Sequence, residues 1–220
     1  MRLFSGIGAS EGFAVGVVRR LHHIQTATGR QVRSPSQEKL LYEQAVETAK
    51  QQLAELEQRA SANEKAIFAA QAMMLEDSGL TDEILAYMRA GAGAAAAVER
   101  AAGIYAGKLR ALDDEYLRER ACDVLDACYR MVHILDGAPQ GTFLLSAPAI
   151  IATEELYPSD LLMMERAKIL GIITSRGSAN AHASILARMM GVPAVVMAGQ
   201  EFLEQCDGVF AAVDGWTGEV

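Results

Sequence analysis

Residues 169–197 read ILGIITSRGSANAHASILARMMGVPAVVM, and they predict a strand, a turn, a helix and a second strand. The first strand is indicated by the β-branched run at 172–174, which stops at the turn-forming residues 175–178. Pro193 to Val196 resumes an apolar, β-favouring pattern after Gly191. The segment therefore predicts a unit of α/β structure, and the rest of the chain is interpreted around it.

The helix predicted inside this segment begins at His182. Apolar residues follow that histidine at three, four, seven and eight positions, which is the spacing of one helix face. The stripe, expected to face a core, consists of Ile185, Leu186, Met189 and Met190. Ser184 and Arg188 are expected on the opposite side of the helix.

His182 is the candidate nucleophile. Asn180 or Ser178 is expected to cap the helix start. The first N–H groups of a helix lack intrahelical partners and carry a partial positive charge, which favours a phosphoryl group and keeps an imidazole neutral. Position alone leaves a second interpretation open, in which the histidine only packs against its neighbours.

Composition limits the classes of function. The chain has 220 residues, 51% of them hydrophobic and 22% charged, which is ordinary for a globular protein. A net charge of −8 argues against nucleic acids and anionic membranes and leaves room for a basic protein partner. No run approaches the roughly 20 apolar residues of a membrane span, and the N-terminus lacks the features of a signal peptide, so we expect a cytoplasmic protein.

No metal site is predicted in this chain. Cys122, Cys128 and Cys206 show no metal-ligand spacing. His22 and His23 are adjacent but have no suitable ligands nearby, and a solvent-facing strand end is the favoured interpretation.

The ends of the chain are rich in predicted strands and its middle is rich in predicted helices. GIGASEGFAVGVVRRL, residues 6–21, predicts a loop and then a strand over 14–18. Further strands are predicted at 143–145, 149–152 and 209–213, with a strand-like terminus at 217–220. Pro158 marks a short helix between 154 and 168.

Five helices are predicted between residues 34 and 136. Ser34, Pro35 and Gln37 form a start signal for the first, which is expected to end near Ala60. The others are predicted over 63–76, from Thr81 to 89, over 94–112 and over 113–136. The last one carries an apolar seam of Leu117, Ala121, Val124, Cys128, Met131 and Leu135. Short connections favour antiparallel packing within one chain, and a dimeric coiled coil is the alternative.

The segment GSANAHASILARMMGVPAVV resembles the phosphohistidine motif of enzyme I, the phosphoenolpyruvate-protein phosphotransferase family of the bacterial sugar phosphotransferase system. His182, Ala187, Arg188, Pro193 and Ala194 match that motif in register. The resemblance extends to GIGASEG, EKAIFAAQAMMLED, LDDEYLRERACDVLDACYRMVHILDG, IIATEELYPSDL and VDGWTGEV. In that family the segment that GIGASEG resembles is a strand of the phosphohistidine domain. The same histidine motif occurs in dikinases, which place their swivelling domain differently and lack the helical insert.

The resemblance implies an α/β swivelling phosphohistidine domain, residues 1–30 and 142–220, with an inserted all-α helical-bundle domain, residues 31–141. His182 would carry a phosphoryl group from phosphoenolpyruvate to the phosphocarrier protein HPr. Four residues would support the transfer, namely Arg176, Ser178, Asn180 and Arg188. Arg188 could instead only anchor the helix. HPr would contact Gln71, Met73, Met74, Leu80 and Arg120.

Three departures from the family pattern are visible. The Gly-Gly-Arg-Thr-Ser that commonly precedes the histidine is replaced by residues 177–181, GSANA, so Asn180 would have to substitute for lost hydroxyls. Leu161 stands where some members have a threonine that hydrogen-bonds the histidine. Ser78 and Gly79 replace an acidic pair, which favours a divergent carrier.

The family also implies a carboxy-terminal barrel that binds phosphoenolpyruvate and Mg²⁺ and forms the homodimer, and this chain is expected to be a fragment without it. Two alternative functions follow from the departures and from the shared motif. One is an enzyme I-like regulatory or docking module with impaired transfer, and the other is the swivelling domain of a dikinase-type enzyme.

Overall fold

The computed structural model describes residues 2–21, 33–59, 62–137 and 145–220. These residues divide into two compact units. One unit comprises 2–21 together with 145–220, and the other comprises 33–59 and 62–137. The predictions at His22, His23, Phe143 and Leu144 lie outside the described residues.

The second unit is entirely helical in its described part. Its helices are α1 (Pro35–Arg59), α2 (Ala62–Met74), α3 (Ser78–Arg89), α4 (Ala94–Arg110) and α5 (Glu115–Asp136). The start signal of α1 is confirmed, because the Ser34 N–H donates to Gln37 Oε1 at 3.0 Å and the Gln37 N–H donates to Ser34 Oγ at 3.4 Å. Gly137 ends α5 in the left-handed conformation, φ 63°, as its position after the helix predicts.

The start of α3 was predicted too late. The helix begins at Ser78 rather than at Thr81, because Asp77 caps it by accepting a hydrogen bond from the Leu80 N–H at 2.9 Å. Asp77 Oδ1 also accepts from the Tyr105 hydroxyl at 3.0 Å, which ties the cap of α3 to α4. An aspartate at this position was interpreted as the end of α2, although an N-cap is the commoner role of that residue type.

The apolar seam of α5 is confirmed over its central turns. Ala121, Val124, Cys128 and Met131 are buried, whereas Leu117 is 36% exposed. The helix packs against α4, α1 and α2 of the same chain, as predicted for packing within one chain. The described residues contain no helix that is both long and apolar enough to cross a bilayer.

The first unit is built on one six-stranded sheet. Its strands are β1 (Ile7–Ser10), β2 (Phe13–Arg20), β3 (Ala149–Thr153), β4 (Ile169–Thr174), β5 (Ala194–Val196) and β6 (Phe210–Asp214). They lie in the order β1-β5-β4-β3-β2-β6. The four inner strands are parallel to one another. Strands β1 and β6 form the two edges of the sheet, and each is antiparallel to its neighbour. Strand β2 therefore lies beside β3, although the whole helical unit separates them in sequence.

The ends of this unit differ from what the local pattern predicts. Residues 7–10, a loop by that pattern and a strand by the family resemblance, form β1, because Ile7 and Gly8 pair with Val196 and Val195. The terminal residues do not form a separate strand. Glu219 instead makes isolated bridges to Ser5 and to Asp214, so the chain terminus links β6 to the residues before β1.

Each face of the sheet has its own apolar core. On one face Ile151, Ile172 and Ala194 pack under α6 (Pro158–Met163) and α7 (His182–Met189). On the other face Ile150, Ile173 and Val195 pack against α8 (Gln200–Gln205), which the sequence pattern did not indicate. Because successive residues of β3 and β4 face opposite sides of the sheet, β3 is buried throughout and β4 is buried at every residue except the partly buried Leu170, as expected for strands covered on both sides.

Candidate functional site

His182 lies at the carboxyl ends of the parallel strands. The Ser175 N–H donates to the Thr153 carbonyl at 3.0 Å, and the Ala198 N–H donates to the Thr174 carbonyl at 2.9 Å, so the ends of β3, β4 and β5 are adjacent. The chain leaves β4 here, turns through 175–181 and enters α7 at His182. Open α/β sheets bind ligands at this edge, and His182 is half-buried there.

The orientation of α7 differs from the prediction. Ala183, Ser184, Leu186 and Ala187 are buried, whereas Ile185 is 39% and Met189 is 51% exposed. The buried face begins at Ala183 because its small side chain and that of Ala187 let the helix pack closely on the sheet. Ser184, expected to face outward, is turned inward and its hydroxyl donates to the Ser178 carbonyl at 2.8 Å.

The capping prediction for α7 was also wrong. Ala181 is the N-cap residue, φ −59° and ψ 150°, and an alanine offers no oxygen to the first N–H groups. Ser178 Oγ is occupied locally, because it accepts the Asn180 N–H at 3.1 Å. Ala181 therefore supplies no side-chain cap to α7, and the positive end of the helix dipole favours an anion at this point.

Gly177 is required by the turn before α7. Its φ of 109° is accessible to glycine and strained for other residues. Thr174 Oγ1 donates to the Arg176 carbonyl at 2.5 Å, which holds the backbone just before this turn. The local backbone that presents His182 is thus fixed by hydrogen bonds within residues 174–184.

Arg176 extends toward solvent beside this turn. Its guanidinium forms an ion pair with Glu154 at 2.9 Å, and its side chain is 70% exposed. The Arg176 N–H also donates to the Glu154 carbonyl at 2.9 Å, which joins the residues after β3 to those after β4. An exposed pair of this kind contributes little to stability and leaves the arginine able to exchange partners.

Arg188 is exposed, but its guanidinium is bonded to backbone carbonyls. Its Nε donates to the Ala9 carbonyl at 2.9 Å and its Nη2 donates to the Ala179 carbonyl at 2.5 Å. These bonds tie α7 to β1 and to the turn that precedes the helix. Of the two roles predicted for Arg188, the contacts correspond to the anchoring one.

Leu161 lies beneath α7. It is 1% exposed and belongs to the same apolar cluster as Ala183 and Leu186. A leucine cannot donate a hydrogen bond, so the contribution expected from a threonine at this position is replaced by packing.

The residues predicted to contact a partner are not all on the surface of the helical unit. Gln71 is fully buried and its Nε2 donates to Asp126 Oδ2 at 2.9 Å, and Leu80 is 2% exposed. The prediction for these two residues was wrong, because the apolar pattern of α2 and α3 turns them into the bundle core. Met73 is 73% exposed and Met74 is half-buried, so both remain candidates.

Arg120 is the remaining partner candidate. Its Nη1 lies 3.3 Å from Asp123 Oδ2, and about a fifth of its side chain, 21%, is exposed. The buried carboxylate holds the guanidinium against α5, so a partner would meet a positioned rather than a free cation.

The two buried cysteines are unsuited to phosphoryl transfer. Burial raises the pKa of the Cys128 thiol to about 12, and burial also raises the pKa of Cys206. A thiol with a raised pKa is a poor nucleophile at neutral pH. Within the described ranges, no three His, Cys, Asp or Glu residues are grouped so that they could hold a metal ion.

Sequence reasoning missed several residues that shape the site. Glu154 was not singled out, and only the pairing of β3 with β4 brings it to Arg176. Ala181 carried no signal, since an N-cap alanine is uncommon. A serine near the start of a helix can donate its hydroxyl to a backbone carbonyl close by in sequence, and Ser184 could have been recognised by that pattern.

Two family models match this chain. The model described as PEP-utilising enzyme, N-terminal, matches residues 5–120, and the model described as PEP-utilising enzyme, mobile domain, matches residues 145–218. The chain is 36% identical to a multiphosphoryl transfer protein of Xanthomonas campestris over 98% of its own length and 26% of that protein. It is 32% identical to a phosphoenolpyruvate-protein phosphotransferase of a Bacillus species over 98% of its length and 38% of that protein.

Solved structures show the same fold. A solution structure of an Enzyme I protein superposes with a TM-score of 0.64 at 25% identity, over 99% of this chain and 92% of the other. The N-terminal domain of a nitrogen Enzyme 1 superposes with a TM-score of 0.62 at 25% identity, over 98% and 91%. The curated relatives are much longer, and the chain spans 26% to 38% of the two named above.

Proposed function

The chain belongs to the family of PEP-utilising enzymes, and on that premise we propose that it transfers a phosphoryl group through His182 to a phosphocarrier protein of the HPr type. One observation carries the proposal. A half-buried histidine opens a helix whose N-cap alanine supplies no side-chain cap, at the carboxyl edge of a parallel sheet. A nucleophile and an anion-favouring environment therefore coincide at one point.

The proposed reaction has two transfers. In the first, a ring nitrogen of neutral His182 uses its lone pair to form a P–N bond, and the bond from phosphorus to the donor breaks. In the second, an imidazole of the carrier attacks the phosphorus, and the bonding pair of the His182 P–N bond returns to His182. When phosphoenolpyruvate is the donor, the enol oxygen leaves and pyruvate forms after protonation at carbon.

The protein contributes position and charge to both transfers. The three oxygens of the phosphoryl group spread negative charge in the transition state, and backbone N–H groups at the start of α7 are the nearest fixed donors. Arg176 can release Glu154 and turn toward the phosphoryl group, because its pair is exposed. Ser178 and Asn180 shape the turn, and Arg188 positions α7.

Phosphoenolpyruvate and Mg²⁺ enter only as proposals about the longer relatives. Within the described residues, no three His, Cys, Asp or Glu side chains are grouped to hold an ion such as Mg²⁺. We place both ligands, and the homodimer contact, in the additional length of the relatives. The α/β unit is proposed to act as a swivelling domain. The helical unit is proposed to dock the carrier through Met73, Met74 and Arg120. The protein is proposed to work in the cytoplasm.

The proposal is tested by the intact mass of the chain after incubation with phosphorylated HPr. We expect a gain of one phosphoryl group that is lost in acid, and no gain in the His182→Ala variant. The His133→Ala variant is the matched control, since His133 lies in α5 of the helical unit, and it should gain the group like the wild type.

Two results would contradict transfer. A wild-type chain that stays unmodified while a competent acceptor in the same solution is phosphorylated would exclude exchange with this carrier. If that chain still binds the carrier, the docking-module alternative is the correct one. A modified His182→Ala variant would place the phosphoryl group on another residue.

A further inference from the structure

We propose that the exposed side of α7 beside His182 is a contact surface for the apolar patch of a protein acceptor. The surface, called here the α7 outer face, consists of Ile185 and Met189. The proposal rests on the function proposed above. It adds which residues of this chain the protein partner contacts and which kind of side chain the partner must present there.

The α7 outer face is contiguous with the reacting residue. Successive residues of a helix are about 100° and 1.5 Å apart, so Ile185 lies about 60° from His182 and 4.5 Å along the axis. Met189 lies almost in line with His182, about 20° away and two turns along. These two side chains are therefore the neighbours of His182 on the solvent side of its own helix.

Ile185 and Met189 are exposed, although large apolar side chains are usually the buried ones. Ile185 is 39% and Met189 is 51% exposed, while the alanines at 183 and 187 are buried in their place. The α7 sequence, HASILARM, contains one charged residue, and the guanidinium of that Arg188 bonds two backbone carbonyls. The outer face consequently presents two large apolar groups beside a nucleophile.

The geometry of transfer requires contact here. An in-line transfer needs the acceptor atom within roughly 3 to 3.5 Å of the reacting group. A folded protein that brings an imidazole so close to His182 must cover the surface one turn away. The two apolar side chains, with the exposed Arg188 at their edge, are matched by aliphatic or aromatic side chains of the partner, and desolvation at the centre of such a contact supplies much of its affinity. Met189 adds a flexible side chain that adapts to related partners.

The test separates docking from chemistry with two phosphoryl donors. The Ile185→Ser/Met189→Ser double variant is phosphorylated either by phosphorylated HPr or by phosphoramidate, a small donor that needs no protein contact. With HPr, we expect the concentration for half-maximal rate to rise on the order of tenfold. The maximal rate at saturating HPr should stay within about twofold of the wild type.

Phosphoramidate labelling of the double variant should also stay within about twofold, since it reports on His182 and the start of α7. The matched control is Leu3→Ser/Val209→Ser. These residues are apolar, are 62% and 48% exposed, and belong to the same unit but not to α7. This control should behave like the wild type with both donors.

Three outcomes would overturn the inference. An unchanged half-maximal concentration for HPr means that the outer face is not contacted. An equal loss with both donors assigns the effect to the histidine or the fold. An equal effect of the control variant shows that any lost apolar group matters. The proposed function fails separately, when neither donor labels the wild-type chain.

Discussion

At the scale of single residues, the position of His182 depends on Arg188. The guanidinium of Arg188 joins the carbonyl of Ala9 in β1 and the carbonyl of Ala179 in the turn, so one side chain fixes the helix relative to both. A lysine keeps the charge but has a single nitrogen, which cannot serve two acceptors in this planar arrangement. The residue is thus a positioning residue for the histidine.

The Arg188→Lys variant should therefore lose stability and transfer rate together. Because one of the two bonds is exposed, we expect the free energy of unfolding to fall by about 1 kcal/mol in urea titrations. The control is Arg89→Lys at the exposed end of α3, which should change it by less than about 0.5 kcal/mol. Equal effects of the two substitutions would contradict the anchoring role.

At the scale of elements, the turn after β6 closes the sheet. Asp214 accepts hydrogen bonds from the Thr217 N–H at 3.1 Å and from the Trp216 N–H at 2.9 Å. These bonds, that of Thr217 first, lower the pKa of the Asp214 carboxyl below its ordinary value. The turn brings Glu219 to its bridges with Ser5 and Asp214.

The stabilisation from Asp214 should depend on pH in a defined direction. A carboxyl whose pKa is lower in the folded state stabilises that state above the unfolded pKa, and the effect disappears as pH falls through the folded pKa. We expect wild type to exceed Asp214→Asn in urea midpoint near neutral pH, and the difference to shrink as pH falls below the ordinary carboxyl pKa of about 3.9 and to vanish below the folded pKa. A difference that is independent of pH would rule out this assignment.

Some secondary-structure elements could be predicted from the sequence and others could not. The helices of the bundle, the strands at 149–153 and 169–174 and the start of α1 follow from local signals, namely periodicity, a capping box and β-branched runs. The buried face of α7 could not be predicted in this way. A stripe of four apolar residues is compatible with two orientations of the helix on the sheet, and the close packing of the small Ala183 and Ala187 selects one of them. Strand β1 depends on pairing with distant β5, which no local pattern encodes.

The site residues also differ in whether local sequence signals predict them. His182 is recognisable from its place at a helix start and from the motif around it, whereas Arg176 with Glu154 depends on the neighbouring β3 and β4. Gln71 and Leu80 were misassigned because a motif carries no information on which side of a helix faces the bundle core. Burial against other helices settles that question.

At the scale of the whole molecule, the chain contains two units that each bury their own core. The helical unit buries Leu53, Phe68, Ile84 and Met131, and all five of its described helices pack among themselves. The sheet unit is assembled from strands on both sides of that insertion in sequence. Independent cores of this kind usually fold as separate domains.

The helical unit should therefore fold when residues 31–141 are expressed alone. We expect a strongly helical circular dichroism spectrum and one cooperative thermal transition, because its helices pack on one another around buried apolar residues of their own. A spectrum without a cooperative transition would show that the insertion depends on the remainder of the chain.

Locating the phosphoryl group in the sequence tests whether His182 carries it. The chain is phosphorylated by phosphorylated HPr, digested at alkaline pH to protect the acid-labile bond, and fragmented by electron transfer, which leaves side-chain modifications in place. We expect every phosphorylated peptide to contain His182 and the fragment series to change mass at that residue. A mass change at His22, His23 or His133, with His182 unmodified, would contradict this expectation.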